Sequence, residues 1–310
     1  MSTTPPTAID TPAARRVGVV GVGLMGGAMA ERLASVGWRV CVHDIHPGRM
    51  AEARAWGADT QPSAQAVVKA LPPGAPLLVV VVDAEQVADV LFGPEGAAQA
   101  MAPGQVVVLC PTMGPADTEA LVARLAARGL AGVDAPLSGG PVRARAGTMS
   151  MMVAGPETVV NHLAPLFQDL SNQVFRVGER VGDGARTKLV NNLLAGIQLL
   201  GAAEAMALAE RLGLDLPQTL AVVEQSSGQS WIGSDRMRRV LAGDHTPRAH
   251  MTLLAKDTRL AMEAGAAAGA SGPLGAATAA AFAQACASGY ADCDDGALLQ
   301  WLRQLPTIPP

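Results

Sequence analysis

Lys188 and Asn192 stand four residues apart in the stretch Gly182-Asp183-Gly184-Ala185-Arg186-Thr187-Lys188-Leu189-Val190-Asn191-Asn192. From Leu189 to Arg211 the chain carries no proline and repeats apolar residues at helical spacing: Leu189, Leu193, Ile197, Leu200, Ala203 and Met206. On a helix, positions four apart share a face, so the two polar groups point the same way one turn apart. An ammonium beside a carboxamide, near an anionic substrate, suits proton transfer to a carbonyl oxygen or from a hydroxyl. A lysine on a helix is ordinarily a solvated charge. Chemistry at Lys188 therefore depends on what the rest of the chain positions around it.

The first half of the chain supplies that setting. Arg16 to Val20 reads as a short β run leading into Gly21-Val22-Gly23-Leu24-Met25-Gly26, a G-x-G-x-x-G, and then into a helical pattern from Gly27 to Leu33. In this arrangement Gly21 permits the tight turn, Gly23 lets the backbone approach a pyrophosphate, and Gly26 lets helix and strand pack closely. The helix N-terminus offers N–H groups and a favourable dipole to the phosphates. A second strand, Trp38 to Asp44, ends in a carboxylate at about the 20-residue distance that dinucleotide sites require. Such a carboxylate accepts hydrogen bonds from both adenosine ribose hydroxyls and repels a 2′-phosphate, so Asp44 points to NAD over NADP. Arg49, which could assist a 2′-phosphate, follows it, with His43 and His46 nearby. Two apolar runs, Leu77–Val82 and Gln105–Leu109, have the character of strands buried on both faces. Ligands in open α/β sheets bind beyond the carboxyl ends of strands, so Asp83 and Thr112 should line the cofactor site.

The chain has 310 residues, enough for two domains. Near Gly178 its organisation changes. Residues 1–14 read as a disordered tail, residues 15–178 as a dinucleotide-binding domain of alternating strands and helices, and residues 179–310 as an all-helical domain. The helical patterns after the Lys188 helix are Leu216–Gln225, Ser234–Leu241, Leu253–Ala268, Ala276–Ser288 and Gly296–Leu302. The expected fold is therefore α/β, a doubly wound sheet followed by an all-α region. Aromatic residues make up only 3%, so the cores must be built from Ala, Val, Leu and Met. The four cysteines, Cys41, Cys110, Cys286 and Cys293, show no C-x-x-C spacing, which argues against a zinc site or a disulfide framework. Reduced thiols in a cytoplasmic protein are the expectation. No basic segment followed by an apolar stretch begins the chain, and the apolar runs read as too short or too interrupted to span a membrane. A net charge of −4 leaves no electrostatic footprint for nucleic acid. An anionic substrate would have to find local cations, for which Arg143, Lys188 and Lys256 are candidates.

Four motifs, in order, resemble the β-hydroxyacid dehydrogenases, the family that includes 3-hydroxyisobutyrate dehydrogenase and tartronate semialdehyde reductase. They are Gly21-Val22-Gly23-Leu24-Met25-Gly26, Asp134-Ala135-Pro136-Leu137-Ser138-Gly139-Gly140, Gly184-x-x-x-Lys188-x-x-Asn191-Asn192, and Lys256-Asp257. Further stretches, Leu194-Ala195-Gly196, Gly201 to Ala209, Gly228-Gln229-Ser230-Trp231 and Gly243 to Pro247, are similar to the branch of four-carbon sugar-acid dehydrogenases of the L-threonate type. Arg143 is basic where that branch tends to be basic. Leu253–Leu260, by contrast, lacks the aromatic and small residues expected around Lys256.

The resemblance implies roles residue by residue. Ser138, Gly139 and Gly140 would hold the substrate carboxylate with a hydroxyl and backbone N–H groups. Lys188 would donate and accept the proton, Asn192 would orient the substrate hydroxyl, and Trp231 would contact the substrate. Gly21, Gly23, Leu24, Met25, Gly26, Asp44, Asp83, Thr112 and Lys256 would contact NAD, and Asp257 would organise its surroundings. The implied activity is hydride transfer between a nicotinamide and a small hydroxy acid, by a homodimer or homotetramer. Tartronate semialdehyde or 3-hydroxyisobutyrate is the alternative substrate. An imine reductase would lack the lysine, and an inactive dinucleotide-binding relative would lack Lys188 or the Ser-Gly-Gly loop.

Overall fold

A computed structural model describes residues 15–305; the N-terminal tail expected over residues 1–14 lies outside them. The chain divides into two compact units, one up to Lys188 and one from Leu189 onward, and the division falls inside a helix.

In the first unit, strands alternate with helices along the chain. β1 (Arg16–Val20), α1 (Leu24–Ser35), β2 (Arg39–His43), α2 (Pro47–Ala55), β3 (Asp59–Thr60), α3 (Ala64–Ala70), β4 (Leu77–Val79), α4 (Ala84–Phe92), β5 (Val106–Leu109), α5 (Pro115–Ala126) and β6 (Ala131–Asp134) form the wound part. There follow β7 (Leu137–Ser138), α6 (Gly140–Ala146), β8 (Met149–Ala154), α7 (Glu157–His162), α8 (Ala164–Leu170) and β9 (Ser171–Gly178). The sheet order is β3-β2-β1-β4-β5-β6-β8-β7, with β9 beside β8. Neighbours are parallel through β6, whereas β8 runs antiparallel to β6 and β7.

Successive strand residues feed opposite faces of this sheet. Val106 and Val108 of β5 join one core with Val17, Val19, Met29, Leu33 and Phe167. Val107 and Leu109 join the other core with Val67, Val87, Leu91 and Leu125. Two strands are shorter than their apolar runs. Trp38 stays outside β2, its indole N–H donating to Asp169 at 2.8 Å. The run Leu77–Val82 leaves the sheet after Val79, because the Val82 N–H is taken by Gln86 Oε1 at 3.0 Å and Asp83 already caps α4.

The second unit's named elements are all helices among its described residues. α9 (Asp183–Arg211), whose first turns belong to the first unit, is followed by α10 (Leu216–Glu224), α11 (Trp231–Leu241), α12 (Met251–Ala267), α13 (Pro273–Ala285) and α14 (Leu298–Gln304). The predicted helix Ser234–Leu241 begins three residues earlier, since Ser230 accepts the Gly233 N–H and caps the first turn. The core packs Leu199, Ala203 and Met206 of α9 against Met237, Phe282, Leu298 and Trp301. Close approach compensates for scarce aromatics: Gly196 of α9 faces Thr258, Thr278 and Phe282. Two ion pairs, the partly buried Arg236–Asp295 and the buried Arg239–Asp294, tie α11 to the turn before α14.

α9 bears on the membrane reading of the sequence. At 29 residues, with a mean hydropathy of 1.4 over its most apolar window, it is long and apolar enough to cross a membrane by length and composition. Charged residues nevertheless interrupt it towards both ends, at Asp183, Arg186 and Lys188 and again at Glu204, Glu210 and Arg211.

Candidate active site

The glycine loop joins β1 to α1 and is shaped by close backbone approach. A Cβ on Gly26 would collide with the Gly21 carbonyl oxygen, and one on Gly21 with that of Val80. Gly23 has no heavy atom within 4 Å of where its Cβ would stand, so its backbone face is open to a ligand. It also starts α1, whose first N–H groups point out of the helix end. A cavity of about 130 Å³ borders Gly23 and Leu24 and is also lined by Arg49, Trp56 and Arg145. The N–H groups at an open glycine and a helix N-terminus suit a dinucleotide pyrophosphate, and a neighbouring carboxylate suits its ribose as an acceptor.

That carboxylate is Asp44. Its Oδ2 accepts the Val22 N–H at 2.7 Å and its Oδ1 the His46 N–H at 2.8 Å. Each oxygen keeps a second lone pair, so accepting ribose hydroxyls remains possible. Arg49 is paired with Glu52 at 2.9 Å, and His43 turns its Nδ1 to the Gln61 carbonyl at 3.0 Å. Asp83 sits beyond β4 and its carboxylate accepts the Gln86 N–H at 2.9 Å as the cap of α4. Thr112 follows β5 and is half-buried. Met25 packs against the sheet core.

Ser138 closes β7 opposite Ser150 of β8, and Gly139 and Gly140 follow at the start of α6. Both glycines have positive φ, 135° and 71°, which presents backbone N–H groups that an L side chain there would strain. Arg143, one turn into α6, donates through Nε to the Thr148 carbonyl at 2.8 Å and packs its stem over Gly139.

Four residues before Ser138, Asp134 ends β6 and is 1% exposed. Its Oδ2 accepts the N–H of Gly182 at 3.1 Å and of Ala185 at 2.8 Å. A carboxylate from a strand thus satisfies the donors at the start of α9. Burial pushes the Asp134 carboxyl up to about 6, against the lowering pull of these N–H groups. Cys110 lies close enough that burial, and then the Asp134 charge, push its thiol up to about 12, an inert sulfur. Lys188 follows in the second turn of α9 and is 6% exposed. The sequence places Asp134 within a motif but gives it no role. The bond that reveals the role spans 51 residues.

In the second unit Asp257 gathers two of the expected residues. Its Oδ2 accepts from Asn192 Nδ2 at 2.6 Å and its Oδ1 from Lys256 Nζ at 2.7 Å. The Asn192 side-chain carbonyl in turn accepts from Asn191 at 2.9 Å, fixing which end of the amide faces which partner. Trp231 opens α11 with its indole largely exposed, beside a cavity that also involves Glu224, Asp235 and Arg238. Among the described residues no cluster of three or more His, Cys, Asp or Glu could hold a metal ion.

The sequence and the fold of the chain match known proteins. Residues 16–178 match the family described as the NAD binding domain of 6-phosphogluconate dehydrogenase. Residues 182–302 match the family described as NAD-binding of NADP-dependent 3-hydroxyisobutyrate dehydrogenase. The L-threonate dehydrogenase of Cupriavidus necator is 36% identical over 287 residues, covering 92% of this chain and 95% of that protein. The solved structure of a 3-hydroxyisobutyrate dehydrogenase from Salmonella typhimurium superposes with a TM-score of 0.85 at 35% identity, over 92% of this chain and 99% of that one. A Mycobacterium tuberculosis 3-hydroxyisobutyrate dehydrogenase solved with L-serine gives 0.81 at 28% identity, over 93% and 99%.

Proposed function

The chain belongs to the NAD(P)-dependent β-hydroxyacid dehydrogenases, and we propose that its substrate is a four-carbon sugar acid such as L-threonate. The observation that carries the substrate assignment is the similarity to an L-threonate dehydrogenase along almost the whole chain. Its chemical counterpart is the buried lysine in the second turn of α9.

When bound, the nicotinamide supplies the hydride acceptor for oxidation and the hydride donor for reduction. The protein's share is binding, orientation and proton transfer. The open face at Gly23 and the N-terminus of α1 hold the pyrophosphate, with Gly21, Leu24, Met25 and Gly26 shaping the loop. Asp44, fixed by Val22 and His46, accepts from the ribose hydroxyls and disfavours a 2′-phosphate, which makes NAD the preferred cofactor. Asp83, Thr112 and Lys256 are assigned to the cofactor as well. The Ser138 hydroxyl and the N–H groups of Gly139 and Gly140 hold the substrate carboxylate, with Trp231 a further substrate contact.

In oxidation, neutral Lys188 Nζ would take the proton from the substrate hydroxyl while the carbon bearing that hydroxyl gives up its hydride to the acceptor. In reduction the ammonium returns that proton to the carbonyl oxygen. Asn192, one turn further along α9 and oriented by Asp257, hydrogen-bonds the same oxygen. The test is a panel of C3 to C5 hydroxy acids offered with NAD and with NADP, followed by absorbance of the reduced nicotinamide. L-Threonate with NAD should give the highest kcat/KM. Strong turnover of 3-hydroxyisobutyrate with no response to C4 acids would move the substrate to that branch, and better use of NADP would remove the role given to Asp44.

A further inference from the structure

The two arginines of α6 are held differently. Arg145 is exposed and reaches α1, its Nε 2.7 Å from Glu31 Oε2. Arg143 is half-buried, and among the described residues no carboxylate pairs with it. Its Nε donates to the Thr148 carbonyl at 2.8 Å. A guanidinium carries five N–H donors in a rigid fork, so this bond leaves both Nη groups for a ligand. Their place is set by the Ser138 loop. A Cβ on Gly139 would stand 3.0 Å from Arg143 Cδ and 3.3 Å from its Nε, so the guanidinium begins directly beside that glycine. Bracing the turn between α6 and β8 needs only the Nε donor. A charge held half out of water adds a desolvation cost to that task, which a bound anion offsets.

Proton transfer imposes a second requirement. A substrate carboxylate needs a counter-charge throughout the reaction, yet in oxidation Lys188 must be neutral before it can accept the hydroxyl proton. One ammonium cannot serve both ends of the substrate at once. A guanidinium stays protonated throughout the working pH range and grips a carboxylate through two parallel N–H···O bonds. We propose that Arg143 is the fixed cation of the substrate site, its Nη groups paired with the carboxylate beside the N–H groups of Gly139 and Gly140. Charge neutralisation then falls to Arg143 and proton transfer to Lys188. Arg143, the Ser138 loop and Lys188 all lie in the first compact unit. The consequence for specificity is a strict demand for an ionised acid. The matching amide has almost the same shape but is neutral, and its NH2 group turns donors toward the donors of Arg143. This inference rests on the reading of the Ser138 loop as the carboxylate site.

The test compares L-threonate with L-threonamide at saturating NAD, in wild type, Arg143→Gln and Arg143→Ala. If the panel of hydroxy acids finds a better substrate, that acid and its amide take their place. Wild type should strongly prefer the acid. Arg143→Gln keeps most of the stem and a donor for Thr148 but not the charge. It should lose about tenfold to a hundredfold in kcat/KM on the acid, the range for hydrogen bonds to a charged group, and almost nothing on the amide. The loss should fall mainly on KM, as for an interaction made equally in the ground and transition states. Millimolar guanidinium should restore acid turnover in Arg143→Ala, where urea should not. Melting curves show which variants are folded, and Arg143→Gln carries the test alone if Arg143→Ala is not. Equal losses on acid and amide, leaving the wild-type ratio intact, would mark a brace for the loop and overturn the assignment of Arg143 alone. A wild type that turns over acid and amide alike would overturn the carboxylate reading of the loop, and the assignment with it.

Discussion

Lys188 and Asp134 carry the sharpest expectations at the scale of single residues. Replacing Lys188 with Ala should lower kcat by about a hundred- to ten-thousand-fold, the usual share of general acid–base catalysis, with the NAD dissociation constant almost unchanged. Retention of more than about a tenth of wild-type kcat, below the weak end of that range, would remove Lys188 from the role. Lys188→Arg should not rescue, because a guanidinium stays protonated and cannot take the hydroxyl proton. Asp134→Asn keeps size but loses the charge facing the start of α9. It should cost up to about a hundredfold in kcat, the scale of a small misplacement of a catalytic group. NAD affinity should hold, and an unchanged kcat would show that α9 is positioned without this carboxylate. Lys188 stands out in the sequence because a local pattern surrounds it. The distant partners of Asp134 and Asp257 were not readable, since they arrive from 51 and 65 residues away, and pairings at that distance leave no trace in spacing.

Elements were readable where a local signal defines them. β1, the glycine loop and α1 follow from alternating valines, three glycines and the helical run behind them. The close packing predicted for Gly26 is an absolute constraint in the structure, because the added carbon has backbone rather than a flexible side chain in its way. Gly26→Ala should therefore destroy measurable NAD binding and lower the melting temperature. Gly23→Ala, where the added methyl meets open space, should weaken NAD with little change in melting temperature. Calorimetry with and without NAD distinguishes the two, and equal loss of stability in both variants would contradict the division. Strand ends were less legible. Valines continue past Val79, but Asp83 and Gln86 divert the chain into α4, and such competition between a ladder and a cap is settled by neighbours rather than propensity.

Across the whole molecule, the chain's stability should carry a pH signature from Asp134. Its carboxyl is raised from 3.8 to about 6, so the folded state holds this proton more tightly than the unfolded chain does. The stabilisation this brings is complete below the unfolded value and is lost as pH rises through about 6. Relative to Asp134→Asn, which cannot titrate there, wild type should lose a few kcal/mol between about pH 4 and pH 7, at about 1.4 kcal/mol for each pH unit that separates the folded from the unfolded value. Denaturant titrations of both proteins at the two pH values measure it, and a pH-independent difference would refute it. The two-part plan was legible at this scale because hydrophobic periodicity changes from two to three and a half or so residues after β9. The place where the compact units divide was not, because it lies within an unbroken helical pattern. That division has a practical consequence for recombining this enzyme with its relatives. A chimera joined between Lys188 and Leu189 takes Lys188 from one parent and Asn192 from the other, on a single helix whose two halves never evolved together. A joint in the turn between Gly178 and Asp183 leaves the helix to one parent, but sets its first turn on an Asp134 inherited from the other.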